Sequence, residues 1–352
     1  MCMRSVLLFA GAGASKAVNP KEYPTTVEFF ELLPVSIKQN ALFGNTTQYL
    51  KHADAKKTID IERVLWALQE LQEFTRVLGD DRTVPGWFLQ NNRLGASLGV
   101  TIEPKQLFEH RPRAERGLDA LISDINTRVY DLYAREPLEQ ELEANWLPLL
   151  RSVTAVADKL EVFTTNYDIN IEVALDLTAH VLSRPSLDTG VRGAVQRWLD
   201  LSVWSSPIGR SRNDRFLGLF TKLHGSVNWG RGKDKIYVGD PLFKGSHDKH
   251  VIEYPGFKGS PTVEPFNVFH SHFATAVATA TDMIFIGFAF RYEYINSILE
   301  RLTSREASVV ILNPSELTDL PFRIERIKHL KENVTAESAT RILEVFSSNR
   351  PV

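Results

Sequence analysis

Five short polar or glycine-rich sequences each close an apolar run, and together they hold most of the side chains able to do chemistry. Gly11-Ala12-Gly13-Ala14-Ser15 follows the run Val6 to Ala10. Glycines at the end of a buried strand let backbone N–H groups approach a phosphate closely. A helix N-terminus beyond, here signalled by Pro24-Thr25-Thr26, adds positive partial charge. Many tight strand-to-helix turns use the same residues. The dehydrogenase form of the turn is disfavoured, because its third glycine is missing and no second strand ends in an acid about 20 residues on. The glycines therefore suggest a nucleotide or dinucleotide held in another way.

Thr164-Thr165-Asn166-Tyr167-Asp168 closes Leu160 to Thr164. An amide and a carboxylate two residues apart at a strand end suit a water or a ribose hydroxyl, although Thr-Asn-x-Asp is also a common turn. Lys222-Leu223-His224-Gly225 closes Phe216 to Leu223, and a histidine there can titrate near neutrality and serve as a base; equally, a lone histidine serves structure. Gly287-Phe288-Ala289-Phe290 and Asn313-Pro314 close Met283 to Ile286 and Ser308 to Leu312. Singly each reads as a turn. Their shared position at strand ends is what makes them a candidate site.

The elements that must position these residues follow from the same runs. Short continuous apolar segments read as strands buried on both faces of a parallel sheet. Helical patterns at Trp146 to Val156, Asn170 to Leu177, Glu264 to Thr279 and Tyr294 to Leu302 separate several of them. The expectation is an α/β, Rossmann-like, doubly wound parallel sheet, with ligands beyond the carboxyl ends of its strands. Between the first two strands, Ile61, Val64, Leu65, Leu68, Leu71 and Phe74, then Leu118, Leu121, Ile122, Ile125, Val129 and Leu132, recur mostly at three- and four-residue intervals. This predicts a helical insertion over 40–145 within a single domain of residues 1–352, with an irregular break at Gly79 to Gly99. A Gly-, Pro- and Lys-rich stretch containing Ile236-Tyr237-Val238 predicts a small β-hairpin subdomain over 225–263.

Composition narrows the partners. Of 352 residues, 43% are hydrophobic and 24% charged, and 41 Lys plus Arg against 43 Asp plus Glu leave a net charge of −2. That balance gives no global field for nucleic acid or an anionic membrane, and direct nucleic-acid binding is not expected. The basic run Arg323, Arg326, Lys328 and Lys331 reads as a solvated helix face. Cys2 is the only cysteine, so neither a disulfide framework nor a thiolate zinc site can be built, which suits a reducing cytoplasm. His247, His250, His270 and His272 have no accompanying cysteine, and no metal site is expected. Glycines 11 and 13 break the first apolar run too early for a secretory signal, and Phe273 to Phe290 divides better into a helix and a strand than into a membrane span.

Taken together, Gly11 to Ser15, Thr165 to Asp168, Leu223-His224-Gly225, Gly287 to Phe290 and Asn313 resemble the sirtuin family, in the family's order. More closely, Thr-Thr-Asn-Tyr-Asp, Lys-Leu-His-Gly-Ser-x-Asn-Trp at Lys222 to Trp229, the Ile61 to Leu65 helix and the late Ile-Gly-Phe-x-Phe are similar to prokaryotic sirtuin-like proteins of antiviral defence. The resemblance implies hydrolysis of NAD⁺ to ADP-ribose and nicotinamide, with NAD⁺ as substrate and no cofactor or zinc. It implies Asn166 and His224 as catalytic residues and Asp168 as a brace. Gly11, Ala12, Gly13, Ser15, Thr165, Gly225, Gly287, Phe288 and Asn313 would contact the dinucleotide. A homo-oligomer, and a HerA-type ATPase or Argonaute-like partner, are implied in the same way. Two departures stand out: the four zinc cysteines that help frame the acyl-peptide cleft of classical deacetylases are missing, and Tyr292 stands where many relatives place an Asp. The alternatives are a non-catalytic NAD⁺ or ADP-ribose sensor regulating a partner, and a protein deacylase or ADP-ribosyltransferase.

Overall fold

The computed structural model describes residues 3–53, 58–79, 82, 104–181, 187–205, 216–239, 249–254, 261–304, 306–322 and 324–348. Its strands are β1 (Ser5–Ala10), β2 (Lys159–Thr164), β3 (Leu187–Asp188), β4 (Val191–Arg192), β5 (Trp198–Leu199), β6 (Gly218–Lys222), β7 (Gly225–Arg231), β8 (Ile236–Val238), β9 (Lys249–Ile252), β10 (Asp282–Ile286), β11 (Ser308–Leu312) and β12 (Ile327–Leu330). Seven of them form a parallel sheet in the order β12-β11-β10-β1-β2-β6-β3.

Val6 to Ala10 are wholly buried because β1 is central and covered on both faces. Side chains alternate across the sheet. Leu7, Phe9, Phe163, Met283, Phe285, Val309 and Ile311 share one core with Phe269 and Phe273 of the helix Phe266–Thr279 and with Ile295, Ile298 and Leu299 of the helix Glu293–Leu302. The helices Trp146–Val156, Asn170–Val181 and Ala336–Ser348 complete the α/β architecture. The chain adds β2, β3 and β6 on one side of β1, then returns to add β10, β11 and β12 on the other. The topological switch therefore falls between β1 and β10, the position where such sheets bind ligands.

Registers align the strand ends. Ala10 pairs with both Thr164 and Ile286, Thr164 with Lys222, and Ile286 with Leu312. Gly11, Thr165, Leu223, Gly287 and Asn313 consequently leave the sheet at one level of one edge.

The expected hairpin is part of a five-stranded antiparallel sheet, β4-β5-β8-β7-β9. Ile236 to Val238 form β8 beside β7, and β4 and β5 come from upstream of the segment that the sequence indicates. The basic run near the C-terminus also departs from expectation. Lys328 lies in β12, an edge strand, rather than on a helix face; Arg323 lies outside the described residues. Ile327 packs against the sheet core and Leu330 is buried, whereas Lys328 is exposed.

The chain divides into two compact units, one comprising Met1–Thr25, Asp131–Glu253 and Phe257–Val352, the other Thr26–Tyr130 with Tyr254–Gly256. The second is helical, with Thr26–Leu32, Val35–Lys38, Ala41–Ala53, Ile61–Gly79 and most of Pro104–Tyr133. Ile61, Val64, Leu65 and Leu68 are buried, while Leu71 and Phe74 further along the same stripe are exposed. Leu118, Leu121, Ile122, Ile125 and Val129 are buried on the long helix. The irregular break expected after Gly79 lies outside the described residues but for Arg82. No helix among the described residues is long and apolar enough to cross a membrane.

Gly287 shows why the strand ends need glycine. Its φ is +57°, and a Cβ there would lie 2.2 Å from Ala14 N. Left-handed backbone costs about 1–2 kcal/mol and overpacking about 1–3 kcal/mol. Gly287→Ala is expected to destabilise the protein by about 3 kcal/mol or more, read as a lowered urea midpoint at unchanged m-value.

Candidate active site

The turn after β1 is pressed against the turn after β10. Gly11 N–H donates to the Ile286 carbonyl at 2.9 Å and Gly13 N–H to the Gly287 carbonyl at 3.0 Å. A Cβ on Gly11 would meet Gly287 O, and one on Gly13 would meet Gly287 Cα, both at 2.8 Å. Close backbone approach thus accounts for these glycines, and their two amides are committed within the protein. The first helix begins at once, at Ala12–Val18, earlier than the Thr26 start signalled in the sequence. It turns the Ser15 side chain inward, leaving it 4% exposed.

Ser15 is the hub of a buried network. Its hydroxyl donates to Asp168 Oδ2 at 2.5 Å and accepts from Asn166 Nδ2 at 2.6 Å. The same Nδ2 donates to the Gly11 carbonyl at 2.9 Å. A carbonyl can only accept, so the amide orientation is fixed with its NH₂ toward Gly11. No donor among the described residues reaches Asn166 Oδ1. The amide is therefore held by its nitrogen and presents its oxygen as a free acceptor.

Asp168 is fastened on both oxygens, because Oδ1 accepts Asn170 N–H at 3.0 Å at the start of the helix Asn170–Val181. The backbone of the loop is clamped as well. The Tyr167 carbonyl accepts from Val227 N–H at 3.0 Å and Ser226 Oγ at 3.2 Å. Lys222 Nζ, 2% exposed, donates to the Asp168 carbonyl and pairs with Glu172 Oε1 at 2.7 Å. Burial pushes the Glu172 carboxyl up, and Lys222 pulls it only part of the way back.

His224 follows β6 and Gly225, at φ +83°, turns the chain into β7. The imidazole is 2% exposed. The Tyr292 ring meets it edge-on at 5.2 Å, and the His270 ring lies nearly parallel at 6.2 Å. Burial, then the neighbouring His270, hold His224 well below the ordinary histidine range. Burial and the second imidazole both favour the neutral ring over the charged one and push its titration below the near-neutral range that the sequence suggests. A neutral ring is the form that accepts a proton.

Of the other candidate residues, Thr165 N–H binds the Ala10 carbonyl at 3.2 Å. Asn313 Nδ2 donates to the Phe288 carbonyl at 3.1 Å, tying the turns after β10 and β11. The Phe288 ring is core, 4.6 Å from Phe9. Hydrogen bonds and close contacts thus unite Gly11, Gly13, Ser15, Asn166, Asp168, Gly287, Phe288 and Asn313. His224 joins through the backbone of its own segment, as Leu223 N–H bonds Thr164 O at 2.8 Å. Lys222, Tyr292 and His270 carry structural weight that their sequence positions did not reveal. For His270 a signal existed: Phe266, Phe269, His270, Phe273 and Val277 form one buried helical stripe, and a histidine within such a stripe faces the core. His272 instead pairs with Glu161 at 2.9 Å. Among the described residues no group of three or more His, Cys, Asp or Glu is placed to hold a metal ion.

A cavity of about 370 Å³ lies between the helix Asn170–Val181 and the antiparallel sheet, lined among others by Glu172, Lys222, Trp204, Asn228 and Trp229. Asn166 and His224 do not line it, so the candidate site is defined by its hydrogen-bonded side chains rather than by this cavity.

The buried imidazoles make stability depend on pH. An unfolded histidine takes its proton near pH 6.5, whereas burial lowers His270 to about 4. Between these values the unfolded chain binds more protons, so stability is full above about pH 6.5 and falls as pH drops. The slope reaches about 1.4 kcal/mol per pH unit for each such histidine. Urea midpoints measured from pH 7 to 4.5 are expected to fall along this slope, and less steeply in His270→Gln.

A SIR2-like domain model matches residues 160–331, a little under half of the chain. The span includes Asn166, Asp168, His224, Gly287 and Asn313, and leaves out the Gly11–Ser15 turn. Among solved structures, a Sir2 homologue in complex with 2′-O-acetyl-ADP-ribose is 12% identical, with 98% of this chain and 93% of that one covered at a TM-score of 0.41. A Sir2 homologue–NAD complex is 13% identical, with 98% and 90% covered at a TM-score of 0.40. No curated protein matches the sequence. The domain match supports a sirtuin-like family.

Proposed function

We propose that the protein hydrolyses NAD⁺ to ADP-ribose and nicotinamide and acts by depleting NAD⁺ as an effector of anti-phage defence. The reading is supported by an amide held through its nitrogen, Asn166, and a buried imidazole, His224, each two residues beyond the paired ends of neighbouring parallel strands. Nicotinamide leaves as a neutral molecule from a cationic ring, so cleavage needs no general acid, unlike glycoside hydrolysis with its two carboxylates. One acceptor and one base suffice. Asn166 Oδ1 orients the attacking water or a ribose hydroxyl, and His224 takes its proton. Asp168 braces the loop through Ser15 and Asn170. In this reading the Gly11–Ser15 turn lies beside the diphosphate without the Gly11 and Gly13 amides, which are bonded within the protein, and Thr165, Gly225, Gly287, Phe288 and Asn313 complete the dinucleotide contacts.

In this reading no zinc or other cofactor takes part, the protein works in the cytoplasm as a homo-oligomer, and a HerA-type ATPase or Argonaute-like partner restrains or triggers it. Incubation of purified protein with NAD⁺, alone and with the product of the neighbouring gene, tests the reading when nicotinamide and ADP-ribose are followed by chromatography. Equimolar release of both is expected. NAD⁺ or ADP-ribose bound without turnover in either setting would replace the hydrolase with a sensor. Consumption only with an acyl-peptide or protein acceptor would replace it with a deacylase or ADP-ribosyltransferase.

A further inference from the structure

The cavity of about 370 Å³ between the helix Asn170–Val181 and the antiparallel sheet has a chemistry of its own. Its volume lies in the range that takes small molecules, from about 300 Å³ upward. Two buried indoles, Trp204 and Trp229, form part of its wall, and both pack on Phe269, at 4.8 and 5.8 Å between ring centroids. Gly190, at φ +70°, makes room for the first of them, since a Cβ there would lie 2.1 Å from Trp204 Cη2. Trp204 Nε1 donates to Thr221 Oγ1 at 2.7 Å, so the ring and not its N–H remains for an occupant. Indoles fixed in this way suit a flat ring, which stacks on an aromatic surface. What the buried polar part of the wall lacks is donors. The Lys222 ammonium has three, and they go to Glu172 Oε1 and to the carbonyls of Tyr167 and Asp168. Glu172 Oε2 and Asn228 Oδ1 are buried with no hydrogen-bond partner among the described residues. Buried oxygens without donors cost stability, and an occupant with N–H groups on the edge of its ring supplies them. Glu136, Asp176 and Arg197 are exposed residues of the same wall. A carboxylate accepts ribose hydroxyls, and two carboxylates against one guanidinium oppose a phosphate.

We propose that this cavity binds a purine nucleoside with donor groups on its base edge, such as guanosine, apart from Asn166 and His224 and coupled to their loop through Lys222. The base lies against Trp204 and Trp229 and gives its N–H groups to Glu172 and Asn228, and the ribose hydroxyls go to the exposed carboxylates. A donor on Glu172 Oε2 favours the ionised carboxylate and leaves Oε1 with Lys222. It thereby tightens the hold of Lys222 on the loop that carries Asn166. The proposal goes beyond the hydrolase reading and does not depend on it, since binding and loop ordering are separate from turnover.

The test uses the full-length protein without NAD⁺ and titrates guanosine, purine riboside and guanosine 5′-monophosphate by calorimetry. Guanosine is expected to bind with a Kd below about 1 mM. Purine riboside, which keeps the rings and the ribose without the donors, should bind at least about tenfold more weakly, and Asn228→Leu should weaken guanosine by a similar factor. The monophosphate should bind at least about tenfold more weakly than guanosine, and Asp176→Asn should narrow that gap. Val173→Trp, which puts a large side chain into the same wall, should abolish binding and carries the test if Asn228→Leu does not fold. Hydrogen exchange at the amides of Thr165 to Asn170 should slow when guanosine is bound. No guanosine binding, equal binding of purine riboside, or full affinity in a folded Asn228→Leu would overturn the proposal. So would displacement by ADP-ribose, which would put the nucleoside at the candidate active site, binding of spermidine in its place, or unchanged exchange in the loop. An inert protein that binds guanosine in this way overturns the hydrolase reading alone, whereas an active protein that does not bind it overturns this proposal alone.

Discussion

Replacing His224 with alanine is expected to lower NAD⁺ turnover by about a hundred- to ten-thousand-fold, the range that a positioned base contributes, while the protein stays folded. The side chain makes ring contacts with Tyr292 and His270, and no described residue bonds its Nδ1; its removal therefore breaks no hydrogen bond at that nitrogen and relieves a buried polar atom. Asn166→Ala should have a comparable effect on rate by a different route. It deletes the oriented acceptor and one of the two bonds to the Gly11 carbonyl, which keeps that from Ala14 N–H, costing about 1 kcal/mol of stability, while the Ser15–Asp168 bond survives. Initial rates beside thermal melts measure both variants. Full activity in either folded variant would remove the role assigned to that residue.

A stability effect as large as that of Gly287→Ala is expected at Lys222. Its ammonium is 2% exposed and joins Glu172 to the carbonyls of Tyr167 and Asp168. Lys222→Ala leaves a buried carboxyl unpaired and two loop carbonyls without that donor. Breaking a buried pair on one side costs about 3–5 kcal/mol. Glu172 keeps 22% of its side-chain exposure and can protonate, so a value near the lower end, about 3 kcal/mol, is expected. The sign of its pH dependence is set by Glu172. Burial already raises that carboxyl above its ordinary value, and without Lys222 it rises further. The folded variant then holds a proton that the unfolded chain has released, and stability is lost as pH rises through the folded value. Urea melts at pH 5 and pH 8 should show the variant falling further below wild type at the higher pH. NAD⁺ turnover should fall as well, because the loop carrying Asn166 loses its clamp.

Much of the sheet was legible because buried parallel strands are continuous apolar runs. The five runs beginning near Val6, Leu160, Phe216, Met283 and Ser308 all became strands, and the polar residues closing them left the sheet at one edge. β12 escaped because Ile-Lys-His-Leu has no two-residue apolar alternation and lies among basic residues, so its charges read as a helix face. β3, β4 and β5 escaped because two residues carry no period. At the candidate site the residue types were visible but their connections were not. The Gly11 and Gly13 amides are bonded to the end of β10 and to Gly287 just beyond it, far along the chain, and only the fold shows that the glycines serve this approach. Ser15 as the link between Asn166 and Asp168 is equally a long-range fact. His224 was visible as a strand-end histidine, but its neutral state depends on burial and on His270, which no local pattern around residue 224 records.

The central claim is that water, activated beside Asn166 and His224, becomes the new oxygen of ADP-ribose. Running the reaction in oxygen-18 water with wild type and His224→Ala, and weighing the products by mass spectrometry, tests it most directly. The account predicts ADP-ribose carrying one heavy oxygen, formed with free nicotinamide by the wild type and not by the variant. ADP-ribose without the label, an ADP-ribosylated or acylated product in its place, or equal labelling by the variant would contradict it.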